Sequence, residues 1–587
     1  MYCVLAGVLI YIIDYDTREH VAELLKRWVP WNLKAGFLLL VIGVVVCRQD
    51  IAKSISSLWK KELGNGKMEQ RWNYRGPLLL LLVVAAFIVT SAVAPRIHRI
   101  FYDEDIYASM GHIMALTGQT GMCHFGTQDY GEFNATWLSY YKEPSGWPFL
   151  MSLVFQIFGT DELYAFFLNN VIFAAAVLTI FFITRVITDR YSAAFLAALS
   201  YALIPHNLIW FNTIALEPSA ALFAGLVVLC LLVYLKTGKT RHLFMLAMVA
   251  PVACQMRPES GLIIMAAAPF FLLGIGQAGM GRGKERWMAM LCRKEIWTAG
   301  LLAFFFLMPH LLHLYAMSGE SWGAKGAKFS TEFFWNNLSV NGPYYLKNTA
   351  FPAIFSALAL VGLLFARCGL KWRLMMFTWF LLFWGIFLFF YAGSYGYGAD
   401  VRFALLTFMP IAVLAGMGGD TVRSWIERPA QYRQSAGENG SAFAGRGYRQ
   451  TVSLAIVLVL IVTWLPFLPL VRTVGQEAWG ARYDHHYAGE FIKKIPMRSI
   501  ILTHNVTMFL VWGRNAIQAY AGIQNPEIIR NLMDRYSGHV YFHYNFWCNT
   551  ASDDNRKLCE AVMTKYPMEE IASAQEQNYR YALYKLK

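Results

Sequence analysis

The chain has 587 residues, of which 57% are hydrophobic and 15% charged, and its mean hydropathy is +0.39. A soluble chain of this size would carry about a quarter charged residues, so the composition excludes an ordinary soluble globular protein. The formal net charge of +14 is dispersed over short loops between apolar runs, with no basic stripe of interleaved aromatics; nucleic acid is excluded as a partner and membrane topology is the better reading.

A hydrocarbon core about 30 Å thick needs about 20 apolar residues per helix. In chain order the sequence predicts spans over 2–13, 33–47, 77–94, 164–184, 192–210, 217–235, 243–256, 261–275, 297–316, 351–366, 374–391, 403–417 and 451–471, about 13 in all. Residues 2–13 lack a basic start and a small-residue cleavage site, so no cleavable signal peptide is expected. The loop 48–75 carries seven basic residues against three acidic ones, which places it in the cytoplasm. Alternation from there keeps 185–190, 236–241, 282–294, 367–373 and 423–449 inside. The opposite, outer face receives loops 96–163 and 317–350, turns near 206–212 and 393–402, the break at Arg257-Pro258-Glu259, and everything after 472. Residues 430–447 read as a Gly/Ser/Gln-rich cytoplasmic linker.

The tail is different in kind. Residues 473–587 hold 13 Lys or Arg and 11 Asp or Glu, without a span-length apolar run. Strands are predicted at 499–503, 516–520, 539–544 and 580–584, with helices at 526–536 and 553–566, which makes a small α/β domain. Its Cys548 and Cys559 are a possible pair in an oxidising compartment. Cys47, Cys230, Cys254, Cys292 and Cys368, in or beside apolar runs, read as small buried hydrophobes.

Chemistry concentrates on the outer loops. Asp103-Glu104-Asp105 stands just past the third span, followed by Tyr107. If a helix starts here, Asp103 and Tyr107 share a face and Glu104 points elsewhere. Two roles are open for the triplet: a base that activates an acceptor hydroxyl, or first-turn acids that favour the helix dipole. Tyr140-Tyr141-Lys142-Glu143-Pro144 sets a lysine among aromatics near the membrane surface, fitting either phosphate capture or an interfacial anchor. Arg257 and Glu259 break one apolar stretch, and charges at membrane depth need partners. Glu217 opens a span. Arg402, at the mouth of another, suits phosphate binding or a salt bridge with Asp400. His310 and His313, at i and i+3, fit metal ligation or interfacial packing.

The order of these features resembles the GT-C class of membrane glycosyltransferases, in particular the branch of protein O-mannosyltransferases and lipid A aminoarabinose transferases. The resemblance rests on Asp103-Glu104 with Tyr107, Tyr141-Lys142-Glu143-Pro144, Leu216-Glu217-Pro218, Arg257-Pro258-Glu259-Ser260-Gly261 and the run from Arg402 to Pro410. Glu143 between the lysine and the proline departs from the family's pattern. The resemblance implies an α-helical polytopic fold with a small C-terminal α/β domain on the outer face: residues 1–76 as N-terminal spans and cytoplasmic loop, 77–472 as the catalytic membrane domain and 473–587 as the outer domain. It implies a polyprenyl-phosphate sugar donor, a lipid, glycan or protein acceptor, and inversion. Asp103 and Glu104 would be catalytic, and Asp105, Tyr107, Tyr141, Lys142, Glu217, Arg257, Glu259 and Arg402 would bind substrate. No cofactor is required, with a divalent metal left open. The location would be a bacterial-type cytoplasmic membrane. The alternatives are a transporter or flippase for a lipid-linked or anionic substrate, or a ligase using diphosphate-linked donors.

Overall fold

The computed structural model describes residues 1–62, 68–72, 74–275, 293–321, 323–396, 398–435, 442–473, 479–549 and 553–587. The helices are α1 (Tyr2–Tyr15), α2 (Arg18–Trp59), α3 (Arg75–Val93), α4 (Asp103–Thr117), α5 (Gly146–Phe158), α6 (Glu162–Thr188), α7 (Tyr191–Ala202), α8 (Pro205–Trp210), α9 (Glu217–Thr237), α10 (Thr240–Cys254) and α11 (Leu262–Ile275). There follow α12 (Lys294–Ala316), α13 (Phe334–Tyr344), α14 (Ala353–Phe365), α15 (Leu370–Leu388), α16 (Leu405–Ser435), α17 (Ala442–Trp464), α18 (Leu468–Arg472), α19 (Trp479–Phe491), α20 (Val506–Val511), α21 (Ala521–Gln524), α22 (Pro526–Arg535) and α23 (Asp553–Lys565). The strands are β1 (Lys60–Glu62) and β2 (Met68–Trp72), which pair with each other, then β3 (Met122–Asp129), β4 (Glu132–Ser139), β5 (Ile500–Thr503), β6 (Asn515–Gln518), β7 (Val540–Tyr544), β8 (Met568–Glu576) and β9 (Tyr579–Leu586).

Among the described residues eight helices are long and apolar enough to cross a membrane: those at Arg18–Ser56, Arg75–Val93, Glu162–Thr188, Glu217–Thr237, Lys294–Ala316, Leu370–Leu388, Val401–Arg428 and Gln450–Arg472. The chain is an integral membrane protein. The other five expected spans fall on shorter apolar helices, and α5 is an additional one that the hydropathy pattern does not single out. The expected span 192–210 is two helices. Pro205 opens α8 as its first residue; it has no N–H for a continuing ladder and blocks helical geometry at Ile204, which is extended. The expected linker 430–447 and basic loop 282–294 lie partly or wholly outside the described residues, as does Cys292.

Small residues let the central helix pack backbone to backbone. A Cβ added at Gly418 of α16 would collide with the Leu358 carbonyl of α14, and one at Gly362 of α14 with the Leu414 carbonyl of α16. On another side of α16, Gly416 abuts Ala193 and Ala197 of α7. Without a hydrophobic drive between helices in lipid, such close contact is a main source of association.

The seven-stranded sheet runs β4-β3-β6-β5-β7-β9-β8. Its centre, β6-β5-β7, is parallel, as the strand-helix alternation of the tail implies. The hairpin β3–β4 comes from the loop 96–163, and Phe125 and Gly126 pair with Ile517 and Ala516 of β6. The sheet is therefore assembled from two distant parts of the chain. Ile500, Leu502 and Phe542 point into one core with Tyr536 and Val562, while Ile501 and Tyr541 join Ile113 of α4 and Phe509 in another. Cys548 and Cys559 form a disulfide with Cα atoms 5.7 Å apart.

Helix α4 is the joint between bundle and sheet. Its Ile106, Tyr107, Met110 and Met114 belong to the membrane core and its Ile113 to the sheet core, so it is buried on nearly every side. Gly418→Leu is expected to lower the thermal unfolding midpoint of the detergent-solubilised protein by several degrees. Gly385→Leu, at a position where an added Cβ meets nothing within 4 Å, is expected to leave it unchanged.

Candidate active site

The acidic triplet is divided among three destinations. Helix α4 begins at Asp103, after Tyr102 in the left-handed region at φ 48°. A non-glycine residue there is strained and must be held by its surroundings. The Tyr102 ring lies against Trp547 (centroids 5.4 Å) and Phe101 (4.1 Å). From this turn Asp103 faces the bundle, with Oδ2 3.7 Å from Arg402 Nη1 and Oδ1 3.5 Å from the Tyr141 hydroxyl.

Glu104 turns inward. It is fully buried, and its carboxylate accepts the backbone N–H groups of Arg99 (2.7 Å), Ile100 (2.9 Å) and Ile214 (2.6 Å). It ties the start of α4 to the segment before α9 and is not brought to the face that Asp103 occupies. Asp105 is also buried, and accepts a hydrogen bond from Asn505 Nδ2 (2.7 Å) beside His98. It too points away from Asp103. Helical rotation of about 100° per residue separates three consecutive acids in this way.

Arg402 continues the chain of charges. Its Nε is 3.2 Å from Glu217 Oε1, and Glu217 also pairs with Arg257. Arg257 Nε is 2.6 Å from Glu259 Oε1. The two guanidinium groups lie 5.1 Å from the ring centroid of Phe403, which stacks on Phe387 at 4.4 Å. Glu217 is only 1% exposed whereas Asp103 is 28% exposed, so Asp103 is the carboxylate that a substrate can reach. The Asp400 side chain lies outside the described residues.

The Tyr141–Pro144 segment joins this cluster because Gly146 docks on the break in the α10–α11 stretch. The Gly146 N–H donates to the Gln255 carbonyl at 2.8 Å, and an added Cβ would strike that same peptide group. Lys142 Nζ lies 5.8 Å from the Tyr141 ring centroid. Burial pushes the Glu143 carboxyl up to about 7; Arg257 and Lys142 oppose the shift, and Glu259 and Asp103 reinforce it. Burial also holds the Tyr107 and Tyr141 phenols well above their usual range, so both stay protonated donors. Asp103, Tyr107, Tyr141, Lys142, Glu217, Arg257, Glu259 and Arg402 thus converge. Glu143 and Phe403 join them unanticipated, though Glu143 was visible as the departure inside the Lys-Glu-Pro element.

Beside the cluster, His206, Tyr344, Lys347, Tyr395 and Val401 line a cavity of about 440 Å³. A larger cavity, about 1010 Å³, lies at the other end of the bundle among Arg75, Arg185, Arg190, Arg367, Arg423 and Arg428. His310 and His313 are buried, with the Tyr140 hydroxyl 3.0 Å from His313 Nδ1. No metal-type group forms around them among the described residues.

The profile of the family of unknown function DUF6541 matches residues 20–491. The chain belongs to that family. No curated protein matches the sequence. Among solved structures the fold is similar to ArnT from Cupriavidus metallidurans bound to undecaprenyl phosphate, with a TM-score of 0.52 at 13% identity over 86% of this chain and 98% of that one. The apo state of the same protein matches equally. The archaeal oligosaccharyltransferase AglB from Archaeoglobus fulgidus, in complex with an inhibitory peptide and a dolichol-phosphate, gives 0.48 at 11% identity over 87% and 74%. The structural neighbours are GT-C glycosyltransferases, and the likeness to ArnT is one of fold.

Glu104→Gln places an amide donor against backbone donors. It is expected to lower the stability of the solubilised protein by about 2 kcal/mol, with Asp103→Asn changing it by less than about half that amount. Unfolding of the two variants in parallel checks the division of labour between the acids.

Proposed function

We propose that this chain is a glycosyltransferase that moves a sugar from a polyprenyl-phosphate carrier to an acceptor at the outer face of a bacterial-type cytoplasmic membrane. The observation that carries the reading is the line Asp103–Arg402–Glu217–Arg257: a partly exposed carboxylate beside a charge-paired guanidinium pair, of which Arg257 is buried and Arg402 largely so, on a fold similar to ArnT. Asp103 takes the proton from the acceptor hydroxyl as its oxygen attacks the anomeric carbon. The bond from that carbon to the carrier phosphate breaks, and the polyprenyl phosphate leaves with the bonding pair. Arg402 and Lys142 stabilise the charge that develops on the phosphate. Direct displacement inverts the anomeric configuration. Tyr141 and Tyr107, as protonated phenols, orient Asp103 and the sugar. Glu217 and Glu259 hold the two arginines, and Glu104 fixes the backbone from which Asp103 projects.

The acceptor is a lipid, glycan or protein group, and the sheet, with its hairpin from the first loop, forms the platform against which it lies. Asp103→Asn is expected to lower kcat at least 100-fold, the order of a general-base contribution, with the donor Kd changed no more than about threefold. Release of polyprenyl phosphate from a lipid monophosphate sugar is the readout. Near-normal transfer by this variant would remove Asp103 from the base role. A protein that moves lipid-linked sugar across vesicles without consuming it would instead be a transporter.

A pH dependence follows from Glu143. Three cations (Lys142, Arg257, Arg402) face three other carboxylates (Asp103, Glu217, Glu259), so a protonated Glu143 leaves the cluster balanced and an ionised one makes it net negative. Its carboxyl, raised to about 7, ionises as the pH rises through that value. Donor affinity is therefore expected to fall about tenfold between pH 6 and 8, the effect of about 1.4 kcal/mol of charge repulsion. Glu143→Gln is expected to hold the low-pH affinity across the range. A wild-type Kd that is flat with pH would contradict the assignment.

A further inference from the structure

We propose that His98, Asp105, Glu162 and His485 form a binding site for one divalent transition-metal ion of the zinc type. The four residues come from separate places: the segment before α4, the first turn of α4, the first turn of α6, and α19 in the outer layer. Each offers one donor atom, and those four atoms all lie within 4.8 Å of one another.

The spacings suit tetrahedral coordination. Only one ring nitrogen of His98 can bind the ion, and either lies near a carboxylate: Nδ1 is 3.1 Å from Asp105 Oδ1, and Nε2 is 3.4 Å from Glu162 Oε2. His485 Nε2 is 3.7 Å from each of the same two carboxylate oxygens. With zinc bonds of about 2.0–2.1 Å, the edges of the coordination tetrahedron are about 3.4 Å. Both ring nitrogens of His98, and Nε2 of His485, are buried and make no hydrogen bond of acceptable geometry, although carboxylate oxygens crowd them. One nitrogen of His98 can converge with His485 Nε2 on a shared cation, and a nitrogen held close to carboxylate oxygens but off the hydrogen-bonding direction fits that role.

The surroundings support the same ion. Asn505 Nδ2 donates to Asp105 Oδ2 at 2.7 Å, which orients the carboxylate and leaves Oδ1 for the ion. Phe166 packs on His98 at 5.6 Å and Trp512 edge-on against His485 at 4.7 Å, giving the apolar shell that strengthens ligation. Two carboxylates and two neutral imidazoles carry a charge of −2, which a divalent ion cancels. His98 and Asp105 are almost fully buried, while Glu162 and His485 are each 22% exposed, so the ion has a way in. Two imidazoles and two carboxylates with no thiolate suit zinc among the common divalent ions. Four protein ligands close the coordination sphere, the pattern of a structural site. The ion would clamp α19 and the sheet to the ends of α4 and α6, and so hold the turn that presents Asp103. The assignment does not depend on the glycosyltransferase reading.

The test uses the full-length chain in detergent, loaded with zinc and dialysed against metal-free buffer, with metal content read by elemental analysis. One zinc per chain is expected in the wild type, in Asp103→Asn and in His504→Gln, and less than about a tenth of that in His98→Gln and His485→Gln. Chelation is expected to lower the thermal midpoint of the wild type by several degrees and to leave that of His485→Gln unchanged. If the glutamine variants do not fold, cobalt-loaded His485→Cys decides the question: a thiolate-to-cobalt charge-transfer band absent from the wild type is expected. A wild type that retains no zinc, a His485→Gln variant that keeps it, or a His485→Cys variant without the new band would overturn the site. Loss of zinc on His504→Gln with retention in His485→Gln would likewise overturn it.

Discussion

A charge that leaves water must find a partner, and the architecture at the sheet end of this molecule is arranged around that requirement. Three consecutive acids begin α4 where the helix is enclosed by the bundle on one side and the sheet on the other. Glu104 takes three backbone donors, Asp105 takes Asn505 with His98 alongside, and Asp103 alone keeps part of its surface open beside Arg402. Two of the acids thus build the frame, and the third stays partly open to solvent. The same rule explains Arg257, Glu217 and Glu259, little-exposed charges that persist because they neutralise each other, with Arg257 lying against Phe403.

The frame also explains why two remote parts of the chain share one sheet. The hairpin β3–β4 follows directly from α4, and β6 receives it through Phe125 and Gly126. Once α4 is set by its buried acids, the hairpin lies where the tail can extend the sheet, and the sheet in turn covers Ile113. The unshielded edge that a separate tail domain would show at β6 is thereby paired.

Much of this was legible in the sequence. The expected spans fall on helices because a long apolar run in lipid has few alternatives. The strands at 499–503 and 539–544 read clearly because they are buried on both faces and are β-rich. Less was legible where contacts are non-local. Glu104 and Asp105 look like Asp103 in sequence, and their separate fates depend on Ile214 and on Asn505, which is 400 residues away. The hairpin β3–β4 carries no strict alternation that its sequence would advertise, since register shifts interrupt it near Phe125. Its place in the tail's sheet is set by pairing that no local pattern encodes. The break at Pro205 was visible as a proline, and hydropathy alone runs through it.

The central claim is that the phosphate of a lipid carrier is bound where Asp103, Lys142 and Arg402 meet. The most direct measurement is a cryo-EM structure of the full chain with polyprenyl phosphate. The account predicts the phosphate within hydrogen-bonding distance of Arg402 and Lys142, close to Asp103, with the isoprenoid tail running between helices. A phosphate held instead in the large arginine-lined cavity at the opposite end, among Arg75, Arg190 and Arg423, would contradict it.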